Sequence, residues 1–335
     1  MTVHLKDIAA YTGVSIKTVS NVVNGNYEHV GPKTRTLVLE AIKKLNYKPN
    51  VAARHLRKAP VGVLAYAFPD LANPYFAEVG EAIVAVANQQ GYTVLLDFTS
   101  AQRDKELNVL TGLQPHLLDG VILDSHALDL EDIVLNDTQR PIVLLGERLF
   151  GASVDHILID NVAASYTATK HLLSLGKRRI AAIGVQQCRS EAPSLRLQGF
   201  IQALTEEGLA VDEALLLEGG LWHRADGAAA MRRLLSLDEP PDAVCCFNDL
   251  MALGALSVLN ESSYRVPGDI AIIGIDDIED GRYANPALST IAPDKHEIAR
   301  LAVTLLVERI KGTRNGPPEC IKAPFRLCPR ASTLG

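Results

Sequence analysis

The chain has 335 residues, 47% of them hydrophobic, with 33 Lys/Arg against 39 Asp/Glu and a formal net charge of −6. That length suits two or three domains of about 100–200 residues each, with enough apolar material for a sizeable core. No apolar run approaches the ~18 residues of a membrane helix, no charged-then-apolar leader opens the chain, and no C-x-x-C or Cys/His metal spacing occurs, which argues against a membrane, secreted or zinc-bound protein and for a cytoplasmic one without metal or cofactor.

The charge is unevenly placed. Residues 1–58 hold ten Lys/Arg and three Asp/Glu, or +7, and the remainder carries −13. A basic head on an acidic body confines any phosphate neutralisation to the head. The five cysteines, at 188, 245, 246, 320 and 328, are expected as buried, reduced thiols.

Residues 5–25, LKDIAAYTGVSIKTVSNVVNG, read as two short helices joined by a tight turn. Ile8, Ala9, Val14, Val19 and Val22 form the inward set. Gly13 suits a left-handed turn position, and Ser15 suits the N-cap of a helix starting at Ile16. Ile16, Lys17, Thr18, Ser20, Asn21 and Asn24 are left outward. This is a helix-turn-helix pattern whose second helix, Ile16 to Asn24, enters a DNA major groove. Ile16, Lys17 and Asn21 are expected to read bases, and Thr18, Ser20 and Asn24 to hold phosphates. His29 and Thr34 complete the expected contacts of this head.

Gly31-Pro32 then opens a third helix to about Leu45, with Leu37, Val38, Ala41, Ile42 and Leu45 on one face. After Pro49, Asn50 caps a short basic helix, Val51 to Lys58, carrying Ala53, Arg54, Leu56, Arg57 and Lys58. An outward Leu between basic residues suits a minor-groove wedge, with Leu56 inserted, Ala53 packed close and Arg54 and Lys58 near phosphates.

From residue 61 short apolar runs alternate with helical patterns: VGVLAYAF (61–68), helix 74–90, YTVLLDF (92–98), a helical stretch through Leu113, GVILD (120–124) and PIVLLG (141–146). The pattern restarts with helix 162–175, RIAAIG (179–184), helix 195–208, ALLLEGG, helix 224–236, DAVCCF (242–247), helix 249–260 and DIAIIGID (269–276), before a tail helix at about 294–311. Continuous apolar strands between helices indicate parallel sheets covered on both faces. The fold class expected is therefore an all-α helix-turn-helix head plus an α/β body of two Rossmann-like lobes.

Ligands of open parallel sheets bind at the carboxyl ends of strands. Polar residues stand there in both halves: Asp70 and Asn73, Asp160 and Asn161, Asn248 and Asp249, Asp276 and Asp277, with Arg196 opening RLQGF and Trp222 in a loop. Carboxylates, amides and a guanidinium suit hydroxyl pairs, and an indole face suits the apolar side of a sugar ring. Asn248 and Asp249 read equally well as caps of the helix that follows.

Taken together, IAAYTGVSIKTVSNVVNG, YKPNVAARHLRK, NPYFAE, RLQGF, FNDLMALGAL, VPGDIAIIGIDD, PALSTIAPD and PRAST resemble the LacI-type bacterial transcriptional regulators, the family of the lactose and purine repressors. The resemblance spans essentially the whole chain. His4 and Gly31 depart from the Thr and Ser common at their positions. It implies a body of the periplasmic-binding-protein type whose chain crosses between lobes three times, with the tail helix returning to the first lobe. The expected layout is a DNA-binding head at 1–48, a hinge helix and linker at 49–60, and an effector and dimerisation body at 61–335. In that body lobe 1 covers about 61–160 plus 291–322, and lobe 2 about 162–288 plus the C-terminal tail. The resemblance makes Arg196, Asn248 and Asp276 the leading effector contacts with Trp222 as stacking platform, and adds Asp70, Asn73, Phe76, Asp124 and Asp160.

These features point to a sequence-specific repressor, a homodimer on an inverted-repeat operator of double-stranded DNA, nucleoid-associated and controlled by a small molecule bound between the lobes. The polar set favours a sugar. The alternatives are a purine-type corepressed regulator and a transporter's solute-binding protein, the latter disfavoured by the head and the missing leader. No G-x-G-x-x-G, G-K-[ST] or G-x-S-x-G motif supports an enzyme.

Overall fold

The computed structural model describes residues 5–23, 27–28, 30–45, 47, 61–111, 117–135, 140–149, 153–186 and 192–334. The chain divides into two units, Met1–Val61 and Gly62–Gly335.

In the first unit, helices α1 (Leu5–Thr12), α2 (Ile16–Val23) and α3 (Pro32–Lys44) enclose Ile8, Ala9, Val19, Val22, Val38 and Ala41. The turn between α1 and α2 forms because Gly13 adopts φ +71°, a region that costs glycine little. Ser15 Oγ accepts from Thr18 N at 3.1 Å and so caps α2. Two residues depart from the expected orientation. Ser20 is buried, because it lies about 100° from Val19 at the shoulder of the apolar stripe. Leu37 is 44% exposed, since the buried line through Val38 and Ala41 leaves the residue before it rotated outward.

The second unit holds two six-stranded sheets. The first is built from β1 (Val63–Phe68), β2 (Thr93–Phe98), β3 (Gly120–Asp124), β4 (Ile142–Leu145), β5 (Asp155–Leu158) and β11 (Cys320–Lys322), in the order β11-β5-β4-β3-β1-β2. All its pairings are parallel. The second contains β6 (Ile180–Val185), β7 (Leu216–Glu218), β8 (Ala243–Cys246), β9 (Ala271–Ile275), β10 (Ser289–Pro293) and β12 (Phe325–Cys328), in the order β12-β10-β9-β8-β6-β7. Only β12 runs antiparallel there. The central strands β3, β4, β8 and β9 are buried along their whole length, as parallel strands with helices on both faces must be.

The chain passes between the sheets after β5, after β10 and between β11 and β12. The second passage falls later than the sequence suggested. Residues 291–293 belong to lobe 2, because β10 continues the parallel ladder with Ile291 opposite Ile275, and helix Lys295–Lys311 begins the return. The three passages are tied side by side: Lys322 Nζ donates to Asp160 Oδ2 at 2.7 Å, Ala323 N to Leu158 O at 2.7 Å, and Asp294 N to Pro324 O at 3.0 Å.

β5 was absent from the sequence reading, since it opens with Asp155 and His156 rather than with apolar residues. Asp155 is nevertheless buried. Arg309 donates to both its oxygens at 2.8 Å, and Glu319 N adds a third donor at 2.8 Å, which replaces the lost hydration. Helix Leu130–Leu135 was likewise not anticipated.

Cys245, Cys246 and Cys328 are buried thiols, whereas Cys320 is exposed on the edge strand β11. Cys188 lies outside the described residues. Among the described residues no helix is long and apolar enough to cross a membrane, and no His/Cys/Asp/Glu group is arranged to hold a metal ion.

Candidate functional site

The head presents one polar face. Ile16, at 49% exposure, and Lys17 are exposed, Thr18, Asn21 and Thr34 are half-buried, and Ser20 is buried. Lys17 and Asn21 stand four residues apart, hence on one side of α2. An exposed Ile beside a Lys and an Asn gives a surface with one apolar and two hydrogen-bonding probes, the chemistry that reads base edges. Asn24, His29, Asn50, Ala53, Arg54, Leu56 and Lys58 lie outside the described residues.

In the body, the carboxyl ends of the two sheets face one another across a cavity of about 400 Å³. Asp70, Asn73, Phe76, Asp124, Arg196, Trp222, Asn248 and Asp276 all line it. Asp160 does not. Its carboxylate accepts from Ala163 N at 3.0 Å, capping helix Asn161–Ser174, and pairs with Lys322 in the passage between lobes.

Several of the lining residues are held by local structure. Asn73 caps helix Pro74–Gln89 by accepting from Tyr75 N at 3.1 Å. Asn248 Oδ1 accepts from Met251 N at 2.8 Å and its Nδ2 donates to Trp222 O at 2.9 Å, so it both caps helix Asp249–Asn260 and fixes the tryptophan loop. Trp222 sits at φ +64°, uncommon for a bulky residue. Its Nε1 donates to Gly184 O at 3.1 Å, which pins the indole at the cleft wall. Asp276 is also left-handed, at φ +125°, with its N–H donating to Ile291 O at 2.9 Å. Strained backbone of this kind persists only where neighbours over-determine it.

Arg196 is the buried cation of the cleft. Its Nε donates to Asn161 Oδ1 at 2.6 Å, its Nη1 donates to Phe247 O, and its guanidinium lies 5.3 Å from the Trp222 ring. Asn161 is thus a positioning residue for Arg196. Two carboxyls, one from each lobe, feel the charge of that guanidinium. Burial pushes Glu147 up to about 7, Arg196 pulling it down and Asp124 pushing it further up. Burial likewise raises Asp276 to about 6 against the opposing pull of Arg196 and Lys295. Asp124 is raised by burial and held back by His126, whose Nε2 lies 3.3 Å from Asp124 Oδ1. Behind the cleft, burial and the Asp276 charge raise Asp249 to about 8, and it accepts from Thr290 Oγ1 at 2.7 Å and Ile278 N at 3.0 Å. Asp249 is therefore a lobe-2 structural group, and Asp277 is one too, turned onto Arg282 and Arg330.

The sequence reading did not single out Glu147, Tyr75, His126 or His223, all of which line the cavity. Glu147 follows the β4 apolar run with one glycine between, the same kind of strand-end position that identified Asp276. Tyr75 adjoins the predicted Phe76, with the two rings edge to face at 5.5 Å.

The sequence model of the family described as bacterial regulatory proteins, lacI family, matches residues 4–50, and that of the periplasmic binding protein-like domain matches residues 169–333. A protein named HTH-type transcriptional repressor PurR, from Mannheimia succiniciproducens, is 36% identical over 308 residues, covering 91% of each chain. The solved lac repressor dimer bound to operator and the anti-inducer ONPF superposes with a TM-score of 0.86 at 29% identity over the full length of both chains. The transcriptional regulator CelR in complex with cellobiose gives 0.72 at 32% identity, covering 98% of this chain and 99% of its own.

Proposed function

This chain belongs to the lacI family of bacterial regulatory proteins as a DNA-binding transcriptional repressor with a periplasmic-binding-protein-like ligand domain, and we propose that a sugar bound between its lobes sets its operator affinity. The observation that carries this reading is the cleft wall. An indole fixed at Trp222 lies beside Arg196, and the acceptors Asp124, Glu147 and Asp276 converge from both lobes. A pyranose has an apolar face for the indole and hydroxyl donors for carboxylates. The cellobiose complex of the CelR relative supports the same choice.

Control follows from linkage. A ligand touching both lobes favours one lobe arrangement, and it shifts DNA affinity by its differential affinity for the two arrangements. As a cytoplasmic homodimer the protein would meet an inverted-repeat operator with two heads, Lys17 donating to guanine and Asn21 pairing with adenine. No covalent chemistry is required, and the protein acts as a regulator rather than an enzyme. A purine effector is the second reading. It is favoured by the PurR relative and by the aromatic rings of Phe76 and Trp222 in the cleft.

The test is a thermal-shift screen of mono- and disaccharides beside hypoxanthine and guanine, followed by operator titration with the responding compound. A sugar should raise the melting point and change the affinity for DNA selected from a random pool. Asp276→Ala should lose that response while binding the same DNA within a few fold without ligand. Stabilisation by a purine base alone would replace the sugar reading with the second one. Unchanged DNA selection by Asn21→Ala would remove that residue from base reading.

A further inference from the structure

We propose that this cleft selects its effector by charge, and that Glu147 is the residue that sets the selection: the ligand is an uncharged, donor-rich molecule, and phosphorylated or carboxylated analogues are refused. The proposal rests on the cleft being the effector site and goes beyond it by fixing the ligand's charge class.

The charge selection follows from the groups that face the cavity. Four carboxylates line it, Asp70, Asp124, Glu147 and Asp276, of which the last three are buried. Each basic lining group already faces an acceptor of the protein. Arg148 donates through Nε to Leu128 O at 2.9 Å and lies 3.7 Å from Asp129. His126 faces Asp124 at 3.3 Å, and His223 faces Asp70 at 3.8 Å across the two lobes. Arg196 spends two of its five N–H donors on Asn161 and the Phe247 carbonyl, and its charge is shared by the Glu147 and Asp276 carboxyls. One buried guanidinium is thus outnumbered by the buried carboxyls Asp124, Glu147 and Asp276, and the cleft carries a surplus of acidic groups.

A cleft built for phosphate would show the reverse, with surplus guanidinium, lysine or free backbone N–H groups. Here the unspent capacity is for accepting hydrogen bonds, which hydroxyl and amino groups fill. Above about pH 7, where Glu147 gives up its proton, a ligand anion about 5–6 Å from that poorly solvated carboxylate is repelled enough to weaken binding on the order of a hundredfold. Glu147 decides this more than its neighbours do. Asp124 has His126 at 3.3 Å and Asp276 is drawn by both Arg196 and Lys295 against Glu78, whereas Glu147 has Arg196 as its one cation, the Ile159 N–H and the Asn161 amide as neutral donors, and Asp124 as a like-charged neighbour.

Trp222 is the chain's only tryptophan and lines this cavity, so its fluorescence reads the local potential without knowledge of the effector. The experiment compares quenching of the full chain at pH 8 by iodide, caesium and acrylamide at equal ionic strength, each normalised to N-acetyltryptophanamide. Caesium should outperform iodide by roughly threefold or more. Glu147→Gln should narrow that gap at least twofold, Glu147→Asp should keep it, and acrylamide quenching should stay constant as the control for an intact cleft. Iodide equal to or better than caesium in the parent, or an unchanged ratio in Glu147→Gln, overturns the proposal.

A second arm measures thermal shifts with glucose against glucose 6-phosphate, ribose against ribose 5-phosphate and cellobiose against cellobionate. Neutral members should act alone on the parent, with discrimination falling tenfold or more in Glu147→Gln. An anionic member binding the parent as well as its neutral partner overturns the charge selection. Silence of the whole panel beside an intact caesium preference counts against the sugar reading and leaves the charge selection supported.

Discussion

Glu147→Gln should abolish a large part of the pH dependence of the body's stability. Burial raises this carboxyl from 4.5 to about 7. An acid whose folded pKa is raised binds more protons folded than unfolded between those two values, so its contribution to stability falls as pH climbs from about 4.5 through 7. At 1.36 kcal/mol per unit, the loss between pH 5 and pH 8 is about 2–3 kcal/mol. Glutamine is a near match in shape for the protonated acid and has no proton to lose, so the variant should melt close to the parent at pH 5. At pH 8 it should melt higher by about 5–10 °C, on the scale of ~2–4 °C per kcal/mol for a domain of this size. Asp276 and Asp249, raised to about 6 and about 8, add slopes of the same sign, but they are present in both proteins and cancel in the difference. Differential scanning calorimetry at pH 5, 6, 7 and 8 gives the series directly. A parent-to-variant difference that stays flat over this range would show that Glu147 is ordinarily ionised and solvated, and the account of the cleft electrostatics would fail.

Gly254→Ala should destabilise lobe 2 by about 1–3 kcal/mol or more, because the added Cβ would fall onto the Arg224 carbonyl where the helices at 224–235 and 249–260 cross; the urea midpoint of the body measures it, and an unchanged midpoint would mean the helices separate freely. Ser15→Ala removes the cap of α2 and should cost the head about 1 kcal/mol, read as lower helicity by circular dichroism of the isolated unit 1–61 on warming and as weaker DNA binding, with Ser15→Asp restoring both. Asp160→Ala loses a helix cap and the Lys322 pair and should lower the body's melting point by a few degrees. It should leave the affinity for the responding ligand within about threefold, whereas a loss as large as that of Asp276→Ala would return Asp160 to the ligand contacts.

The fold was legible because parallel strands buried on both faces are written as unbroken apolar runs, and GVILD, DAVCCF and DIAIIGID carry that signature unambiguously. β5 escaped because its first two residues are polar, and what buries Asp155 is Arg309, 154 residues away. Pattern over a short window cannot see such a partner. The same holds at the cleft. Strand-end position identified Asp70 and Asp276 but treated Asp160 alike, although its neighbour Lys322 comes from the far end of the chain. Ser20 and Leu37 are misplaced for a different reason: on helices of 8 and 13 residues, residues at the border of the apolar stripe are assigned by the helices packed against them, not by their own period. Asn248 satisfied both of its readings at once, as cap and as lining residue.

The side-by-side ties at Asp160–Lys322, Ala323–Leu158 and Asp294–Pro324 have a mechanical meaning. Two bodies joined by a single linker can slide, twist and bend about each other. Bodies joined by three adjacent chain segments stitched into a ribbon keep, in effect, only the bend. Whatever the molecule in the cleft, and however many groups it offers to Arg196, Trp222 or Glu147, what travels beyond the cleft is then a single angle. A receptor of this build can change what it detects through substitutions at its walls without altering the form of its output.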